Sequence, residues 1–338
     1  MITLKKNIVP AFKKDIESSI TLLKRIKSEL YISSGHVCCK GIPVDFGFEA
    51  IVRYKDMSNL LALQENLKQC EGFQLSLHAP LNHDNPETVD LTTSQGFGVL
   101  EQLVEFCDKQ GIPIIATHPN ALRQASYFSL EYSRQHQQEK LGQVISAVQK
   151  LNQMSGKTQV CLENKPYPAT DANFEGILYS PVAASFPQLL ELRNAGIPLC
   201  FDTAHYATTR ATANSMLAPA ELKEGGLGIE KTIAPLQGFF LEDCVSHPEI
   251  PDVLVQLGDA VKEIHHNDAV HYKCVEGSVT YWERLVPGRG SLVNNSDVSA
   301  FIKSKKDLPV VLEVYETDYA NNPNSYLAFR NLLIELSR

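Results

Sequence analysis

Six short apolar segments of the chain each end in a side chain that can bind a metal ion. These side chains are His78 in LSLHAP, His118 in ATHPN, Glu163 in CLENKP, Asp202 and His205 in CFDTAH, His265 in EIHHND, and Glu313 in VLEVYE. A single histidine after an apolar segment is usually a packed residue, but the same feature at six segments points to one shared site. Imidazole and carboxylate groups without a placed thiolate suit zinc, manganese or iron. The pattern predicts a centre for one or two divalent ions, with zinc or manganese favoured.

Three of these side chains are carboxylates, Glu163, Asp202 and Glu313. Carboxylates that lie close together in a partly desolvated site cannot all stay ionised without cations, because like charges repel. A divalent ion removes this conflict. Cys161 and Cys200 stand two residues before Glu163 and Asp202. Strand alternation therefore places these thiols on the same inward side but deeper, where we expect them to be packing residues.

The segments that carry these residues are predicted to be parallel strands. Near-continuous apolar segments alternate with stretches of helical periodicity, which is typical of a sheet covered on both faces. For 338 residues this pattern favours an α/β fold, a (β/α)₈ TIM barrel, whose strand ends meet at one rim. The clearest strands are predicted at 73–78, 112–118, 159–163, 198–202, 261–266 and 309–314, and the helices at 13–28, 57–69, 97–109, 186–195, 297–306 and 324–337.

Two further strands of the barrel must come from residues 1–55. The candidates are 30–34 and 44–52, but the gap between them is too short for a crossover helix, which argues against one of the two. Among the helix ends, Gly111 is predicted to stop the helix at 97–109, and Asp297 to cap the start of the helix at 297–306.

Two stretches exceed a minimal barrel, and the chain is otherwise interpreted as one domain over 1–338. Residues 206–257 follow the strand that ends near 202, and residues 267–297 follow the strand that ends near 266. Because both stretches follow strands, we expect long insertions at the rim where barrel active sites are built. The first is interpreted as a substrate lid, with a tolerated surface insertion as the alternative.

Composition and charge narrow the classes of function. The 43% hydrophobic and 21% charged residues exclude disorder, collagen and coiled coil. A net charge of −8 disfavours a nucleic-acid partner that is held through its phosphates. Eight cysteines without a CxxC pair favour reduced thiols and a cytoplasmic location. No apolar segment suits a membrane span or a signal peptide, and the oligomeric state stays open.

Taken in order, the motifs HAP, HP, LEN, DTxH, HxND, PGxG and LE resemble the xylose-isomerase-like TIM-barrel superfamily. This superfamily includes the endonuclease IV apurinic-site nucleases and small sugar isomerases and epimerases, and the resemblance covers residues 73–316. In the nucleases it implies that His78 and His118 bind a first metal, which Glu163 bridges to a second. The ligands that it implies for the second metal are Asp202, His265 and Glu313. In the sugar epimerases it implies a single-metal site made of Glu163, Asp202, His265 and Glu313.

Departures from the nuclease pattern separate these two branches. The nucleases hold a third zinc through an Asp-x-His pair, and the matching positions here are Trp282 and Arg284, neither of which binds a metal. His205, the histidine of DTxH, is then left to contact substrate, as in the epimerases. The alignment also leaves His266 outside the site or behind its ligands, and His271 stands where epimerases tend to have an arginine.

The leading interpretation is a metal-dependent isomerase or epimerase of a small carbohydrate-like substrate. Glu163 and Glu313 would be its general base and acid, next to a carbonyl that the metal polarises. The substrate contacts are predicted from His205, Asn267, Trp282 and Arg289. The alternatives are an endonuclease IV-like phosphodiesterase, which would use His78 and His118, and a non-catalytic metal-binding barrel.

Overall fold

The structure is a computed structural model, and it describes residues 30–33, 46–68, 74–80, 90–123, 134–166, 177–179, 182–217, 247–273, 279–305, 307–314 and 324–337. Its strands are β1 (Leu30–Ser33), β2 (Phe46–Ile51), β3 (Gln74–His78), β4 (Ile114–Thr117), β5 (Ala121–Arg123), β6 (Gln159–Glu163), β7 (Ile177–Tyr179), β8 (Leu199–Asp202), β9 (Val261–His265), β10 (Asp268–Lys273), β11 (Val279–Leu285) and β12 (Val310–Leu312). Eight of them close a parallel barrel in the order β1-β12-β9-β8-β6-β4-β3-β2. The predicted (β/α)₈ barrel is confirmed.

Helices surround the barrel between its strands. They are α1 (Tyr54–Met57), α2 (Leu60–Leu67), α3 (Ser94–Gln110), α4 (Arg134–Met154), α5 (Phe186–Asn194), α6 (Thr203–Leu217), α7 (Ile250–Leu257), α8 (Asn295–Ser304) and α9 (Asn324–Ser337). Gly111 ends α3 with a φ of 72°, as predicted. The predicted cap of α8 is wrong by one turn: Asn294 accepts from the Ser296 amide, and Asp297 lies inside the first turn. None of the helices in the described part of the chain is long and apolar enough to cross a membrane.

Both candidate strands from the N-terminal part belong to the barrel. β1 and β2 are hydrogen-bonded parallel neighbours, with Leu30 opposite Phe46 and Ser33 opposite Glu49. The expectation that one of them is not a strand is therefore wrong. A crossover between parallel strands needs about a dozen residues, and residues 34–45 supply that length. These connecting residues and the helix predicted at 13–28 lie outside the described residues.

The two long stretches after β8 and β9 contain more regular structure than predicted. The stretch 206–257 is a continuation of α6 at its start and becomes α7 at its end. The insertion within it is thus shorter than predicted, and residues 218–246 lie outside the described part. The stretch 267–297 holds the antiparallel pair β10–β11. β5 and β7 form a second antiparallel pair, after the ends of β4 and β6. Both pairs therefore extend the C-terminal rim.

Side chains alternate between the two faces of the barrel strands. Outward-facing residues such as Leu77, Ile115 and Leu162 are fully buried in the large hydrophobic cluster shared with the helices. Cys161 and Cys200 instead belong to a small separate cluster with Ile114 and Ala116. Their burial agrees with the predicted packing role of the two thiols. The inward positions nearest the rim are left for the polar residues.

Asp108, near the end of α3, organises the turn that leads into β6. Its carboxylate accepts hydrogen bonds from the Ser155 hydroxyl and from the backbone amides of Gly156, Lys157 and Thr158, at 2.8–3.0 Å. Desolvation acts to raise the pKa of Asp108, but these backbone bonds hold it well below its ordinary value. The ionised carboxylate thus fixes the turn before the strand that carries Glu163.

We predict that Asp108→Ala lowers the free energy of unfolding by about 1–3 kcal/mol, because several amides lose a charged acceptor. Urea unfolding at pH 7 measures this loss. Since the folded state depresses the pKa, the contribution exists above the ordinary value of 3.8 and fades as the pH falls below it. Glu105→Ala on the same helix is the control, since it removes an exposed ion pair worth less than about 1 kcal/mol. Wild-type stability of the Asp108 variant at pH 7 would contradict the role of this turn.

Candidate metal centre

Four side chains from separate strands meet at the C-terminal mouth of the barrel. One donor atom from each lies within 4.8 Å of the others, and all four residues are buried. They meet because three of them end adjacent parallel strands and the fourth directly follows a strand. In particular, Asp202 is the register partner of His265, which in turn pairs with Val311 of β12. This group, called the mouth cluster below, consists of Glu163, Asp202, His265 and Glu313.

The imidazole of His265 is oriented from below by a carboxylate. Its Nε2 lies 3.0 Å from Oε2 of Glu49, an inward residue of β2. Its Nδ1 lies 3.3 Å from Oε2 of Glu313 and has no hydrogen-bond partner among the described residues. When Nε2–H donates to Glu49, the lone pair on Nδ1 faces the mouth cluster. A carboxylate behind a histidine in this way is the usual support of a metal ligand.

Asp202 is held by backbone and side-chain hydrogen bonds at the end of β8. Its backbone exchanges two bonds with the Asn164 side chain, at 2.7 and 3.0 Å. Its Oδ1 accepts from the His205 amide, and its Oδ2 accepts from Nδ2 of Asn267. Burial raises the pKa of Asp202 to about 6, against the lowering effect of His205. The carboxylate is therefore fixed in place, where ionisation is costly unless a cation is nearby.

Glu313 is paired with an arginine of β11, in the antiparallel pair β10–β11, which is called the hairpin below. Nη2 of Arg284 lies 2.6 Å from Oε1 of Glu313, and the backbone amide of Arg284 donates to Oδ1 of Asn267. Burial alone would raise the pKa of Glu313, but Arg284 and His265 hold it well below its ordinary value. Arg284 has a φ of 61°, an uncommon conformation for a residue with a side chain. The hairpin thus places one positive charge against the mouth cluster.

His205 lies beside the mouth cluster, on the first turn of α6. Its Nδ1 is 2.8 Å from the Asn164 carbonyl oxygen and 3.0 Å from Oε1 of Glu163. Its Nε2 is 3.5 Å from Oε2 of Glu283. Burial lowers the pKa of His205, but Asp202 and other carboxylates around it raise the pKa to about 9. The structure brings His205 to the site, and its contact with substrate stays a prediction.

The two remaining predicted ligands form a second group with Glu163. Nε2 of His78 lies 2.9 Å and Nε2 of His118 lies 3.0 Å from Oε2 of Glu163. The three donor atoms also satisfy the 4.8 Å spacing of a metal group. Lys165, however, places Nζ 2.6 Å from Nε2 of His118. This second group therefore already contains a cationic side chain.

The other predicted substrate residues are placed as follows. Asn267 is buried and bonded to Asp202 and to the Arg284 amide. Arg289 is exposed in the turn after β11. The side chain of Trp282 lies outside the described part of the chain. His266, which was predicted to lie outside the site or behind its ligands, is buried with Nδ1 3.4 Å from the Thr203 hydroxyl. The substrate contacts of Asn267, Trp282 and Arg289 stay predictions.

Several charged residues of the site were missed by sequence reasoning. Glu49, Lys165, Glu263 and Glu283 were not singled out. Glu263 faces inward two residues before His265 and accepts from the Ser76 hydroxyl at 2.9 Å. Burial and the nearby Glu49 raise its pKa to about 8, so Glu263 is largely neutral at pH 7. The period of two on β9 could have identified Glu263, which is two residues before His265. An acid within the apolar segment FGFEAI could have identified Glu49, and the lysine in LENK could have identified Lys165.

Comparison with known proteins places this barrel in a family. A family profile described as "Xylose isomerase-like TIM barrel" matches residues 44–332. The chain belongs to the xylose isomerase-like TIM-barrel family. The resemblance found in the motifs is thereby confirmed. No curated protein matches the chain.

Solved structures with the same fold include three sugar epimerases. The 3-keto-D-glucoside 4-epimerase of E. coli has a TM-score of 0.53 at 10% identity, over 91% of this chain and 99% of that one. D-psicose 3-epimerase of Clostridium cellulolyticum H10 has 0.51 at 10% identity, over 92% and 96%. D-allulose 3-epimerase of Methylomonas sp. has 0.50 at 12% identity, over 86% and 85%. At these identities the likeness shows the fold alone.

The turn after β11 fits closely around Asp268, which stands next to Asn267 at the mouth. Asp268 accepts from the amides of Gly288 and Gly290 at 3.0 Å and from Val293 at 3.2 Å. A Cβ on Gly290 would come within 2.3 Å of the Ala269 carbonyl oxygen and 2.4 Å of Oδ1 of Asp268. The first atom is backbone and cannot move aside cheaply. This turn therefore requires glycine at 290.

We predict that Gly290→Ala lowers the free energy of unfolding by about 1–3 kcal/mol, the usual cost of overpacking. Gly98→Ala is the matched control, because a Cβ there meets no atom within 4 Å and alanine favours helix α3 by about 1 kcal/mol. Denaturant unfolding of both variants measures the difference. A Gly290 variant as stable as the wild type would show that the turn can open without cost.

Proposed function

We propose that the protein is a divalent-metal-dependent isomerase or epimerase that acts on a small carbohydrate-like substrate. The observation that carries the proposal is the mouth cluster: three carboxylates and an oriented imidazole whose donor atoms lie within 4.8 Å of one another. The uncommitted Nδ1 of His265 and the cost of ionising buried Asp202 both favour a cation at this point. Imidazole with carboxylates suits zinc or manganese.

The two glutamates of the mouth cluster can serve as the acid–base pair. A bound divalent ion would hold adjacent substrate oxygens and polarise a carbonyl. Glu163 would take the proton from the neighbouring carbon, and Glu313 would return one, or the reverse. Lys165 and His118 lower the pKa of Glu163 against its burial, which keeps that carboxylate ionised and able to accept a proton. Arg284 at 2.6 Å would hold Glu313 in position.

Residues at the rim would bind and enclose the substrate. His205, whose Nε2 points toward Glu283 at 3.5 Å, would orient a substrate hydroxyl. Trp282 would cover an apolar face of the sugar, and Asn267 and Arg289 would complete the contacts. The substrate lid predicted within 206–257 stays a prediction, because residues 218–246 lie outside the described part of the chain. We also propose a reducing, cytoplasmic location, with Cys107, Cys161 and Cys200 as free thiols.

A second candidate function rests on the group of His78, His118 and Glu163. A second divalent ion there would share Glu163 with the mouth cluster, as a binuclear phosphodiesterase requires. The net charge of −8 disfavours a DNA substrate. An abasic-site DNA duplex tests this second candidate, and because of the net charge we expect no cleavage at physiological salt.

We predict that the protein interconverts ketoses only when loaded with metal. D-tagatose, D-psicose and L-ribulose form the first substrate panel, followed by chromatography or NMR after chelation and after addition of Mn²⁺ or Zn²⁺. Glu163→Gln is expected to lower turnover at least about 100-fold, the lower range for loss of a general base. Glu105→Gln, an exposed acid on α3, should keep wild-type turnover. Full turnover in the Glu163 variant with unchanged metal content, or nicking of the abasic duplex without ketose conversion, would contradict the proposal.

We predict that Glu49→Gln weakens metal binding about 10–100-fold, the usual cost of losing the carboxylate behind a ligand histidine. The reason is that a neutral amide in place of the Glu49 carboxylate would no longer raise the basicity of His265 through its Nε2. Titration calorimetry with Zn²⁺ against the Glu105→Gln control measures the change. Equal affinities in the two variants would show that Glu49 does not support His265 as a metal ligand.

A further inference from the structure

Lys165 lies inside the second ligand group rather than at the protein surface. It is 1% exposed, and its Nζ is 2.6 Å from Nε2 of His118 and 3.8 Å from Oε1 of Glu163. Its backbone is fixed on both sides: the amide donates to the Ala183 carbonyl at 3.0 Å, and the carbonyl accepts from the Thr209 hydroxyl at 3.3 Å. Burial, the contact with His118 and the two backbone hydrogen bonds together fix the position of the Lys165 side chain.

The ammonium group uses the same electron pair that a metal ion would need. Nζ of Lys165 lies 2.6 Å from Nε2 of His118. An ammonium group has donors and no acceptor, so Nε2 accepts this bond when Lys165 is charged. A zinc ion bound there would lie about 2.0–2.1 Å from the same nitrogen. The two cations would therefore share one lone pair and stand in contact with each other. A zinc ion could bind His118 beside Glu163 only if it displaced the ammonium group of Lys165.

We propose that Lys165 takes the place of a second metal ion, so that this chain holds one divalent ion at the mouth cluster and an ammonium group among His78, His118 and Glu163. The proposal rests on the metal centre proposed above and deepens it. The ammonium supplies one positive charge to Glu163 where a second divalent ion would supply two. The site would then be mononuclear, as the resemblance to the sugar epimerases implies, although the histidines of a binuclear site are present.

The proposal predicts that Lys165→Met opens a second metal position. Methionine keeps the length of the side chain and removes its charge and its donor. Protein stripped of metal is titrated with ZnCl₂ by calorimetry, and bound zinc is counted by elemental analysis after removal of excess ion. We expect one ion per wild-type chain and two per Lys165→Met chain. The double variant Lys165→Met/His118→Ala should return to one ion, because it lacks the histidine that the added ion needs.

Lys157→Met is the matched control, since Lys157 is exposed in the turn before β6 and its loss should leave the count at one. A wild-type chain that binds two ions overturns the proposal without any variant, so a misfolded Lys165→Met protein would not protect it. A folded Lys165→Met chain that binds no more ions than the wild type also overturns the proposal. If the wild type binds none and Lys165→Met binds one, the mouth cluster fails as a metal centre while the role of Lys165 stands. Ketose turnover measured on the same samples tests the proposed function separately.

Discussion

Mutual repulsion among buried carboxylates governs the mouth of this barrel. Glu163, Asp202 and Glu313 are each less than 10% exposed, and water cannot screen charges that are buried so close together. Positive charge must therefore come from the protein, from protons or from a bound ion. The arrangement of neighbouring side chains can be understood as the way in which this charge is supplied.

Two of the three carboxylates of the mouth have a cationic side chain as a partner. Glu313 has Arg284 from the hairpin, and Glu163 has Lys165 from the segment after β6. Asp202 has no lysine or arginine within salt-bridge distance in the described part of the chain. It relies on amide donors and on His205, 4.0 Å away, and its pKa rises accordingly. The uncompensated charge thus lies where Asp202 faces His265, which is where a divalent ion would do most to stabilise the site.

The sequence allowed the strand-end residues to be predicted, because their position depends on a rule that is local. An inward residue at the end of a parallel barrel strand must face the common mouth, and this held for Glu163, Asp202 and His265. Glu49, Lys165 and Arg284 could not be assigned in the same way. Their partners lie 216, 47 and 29 residues away in the chain, respectively, and the pairing depends on strand register and on the shape of the hairpin. The early strands were underestimated because a crossover helix was assumed between them, whereas residues 34–45 are long enough to join two parallel strands.

Asp202 ends β8 and at the same time begins α6, since its Oδ1 receives the His205 amide in the manner of a helix cap. One carboxylate therefore serves both the floor of the mouth and the first turn of a helix that runs to Leu217. A ligand that draws electron density from Asp202 weakens this hydrogen bond. A movement of the first turn of the helix would in turn shift the carboxylate. Occupancy of the mouth and fraying of the helix are in this way thermodynamically linked, and amide hydrogen exchange in the first turn of α6 would report on events at the centre of the barrel.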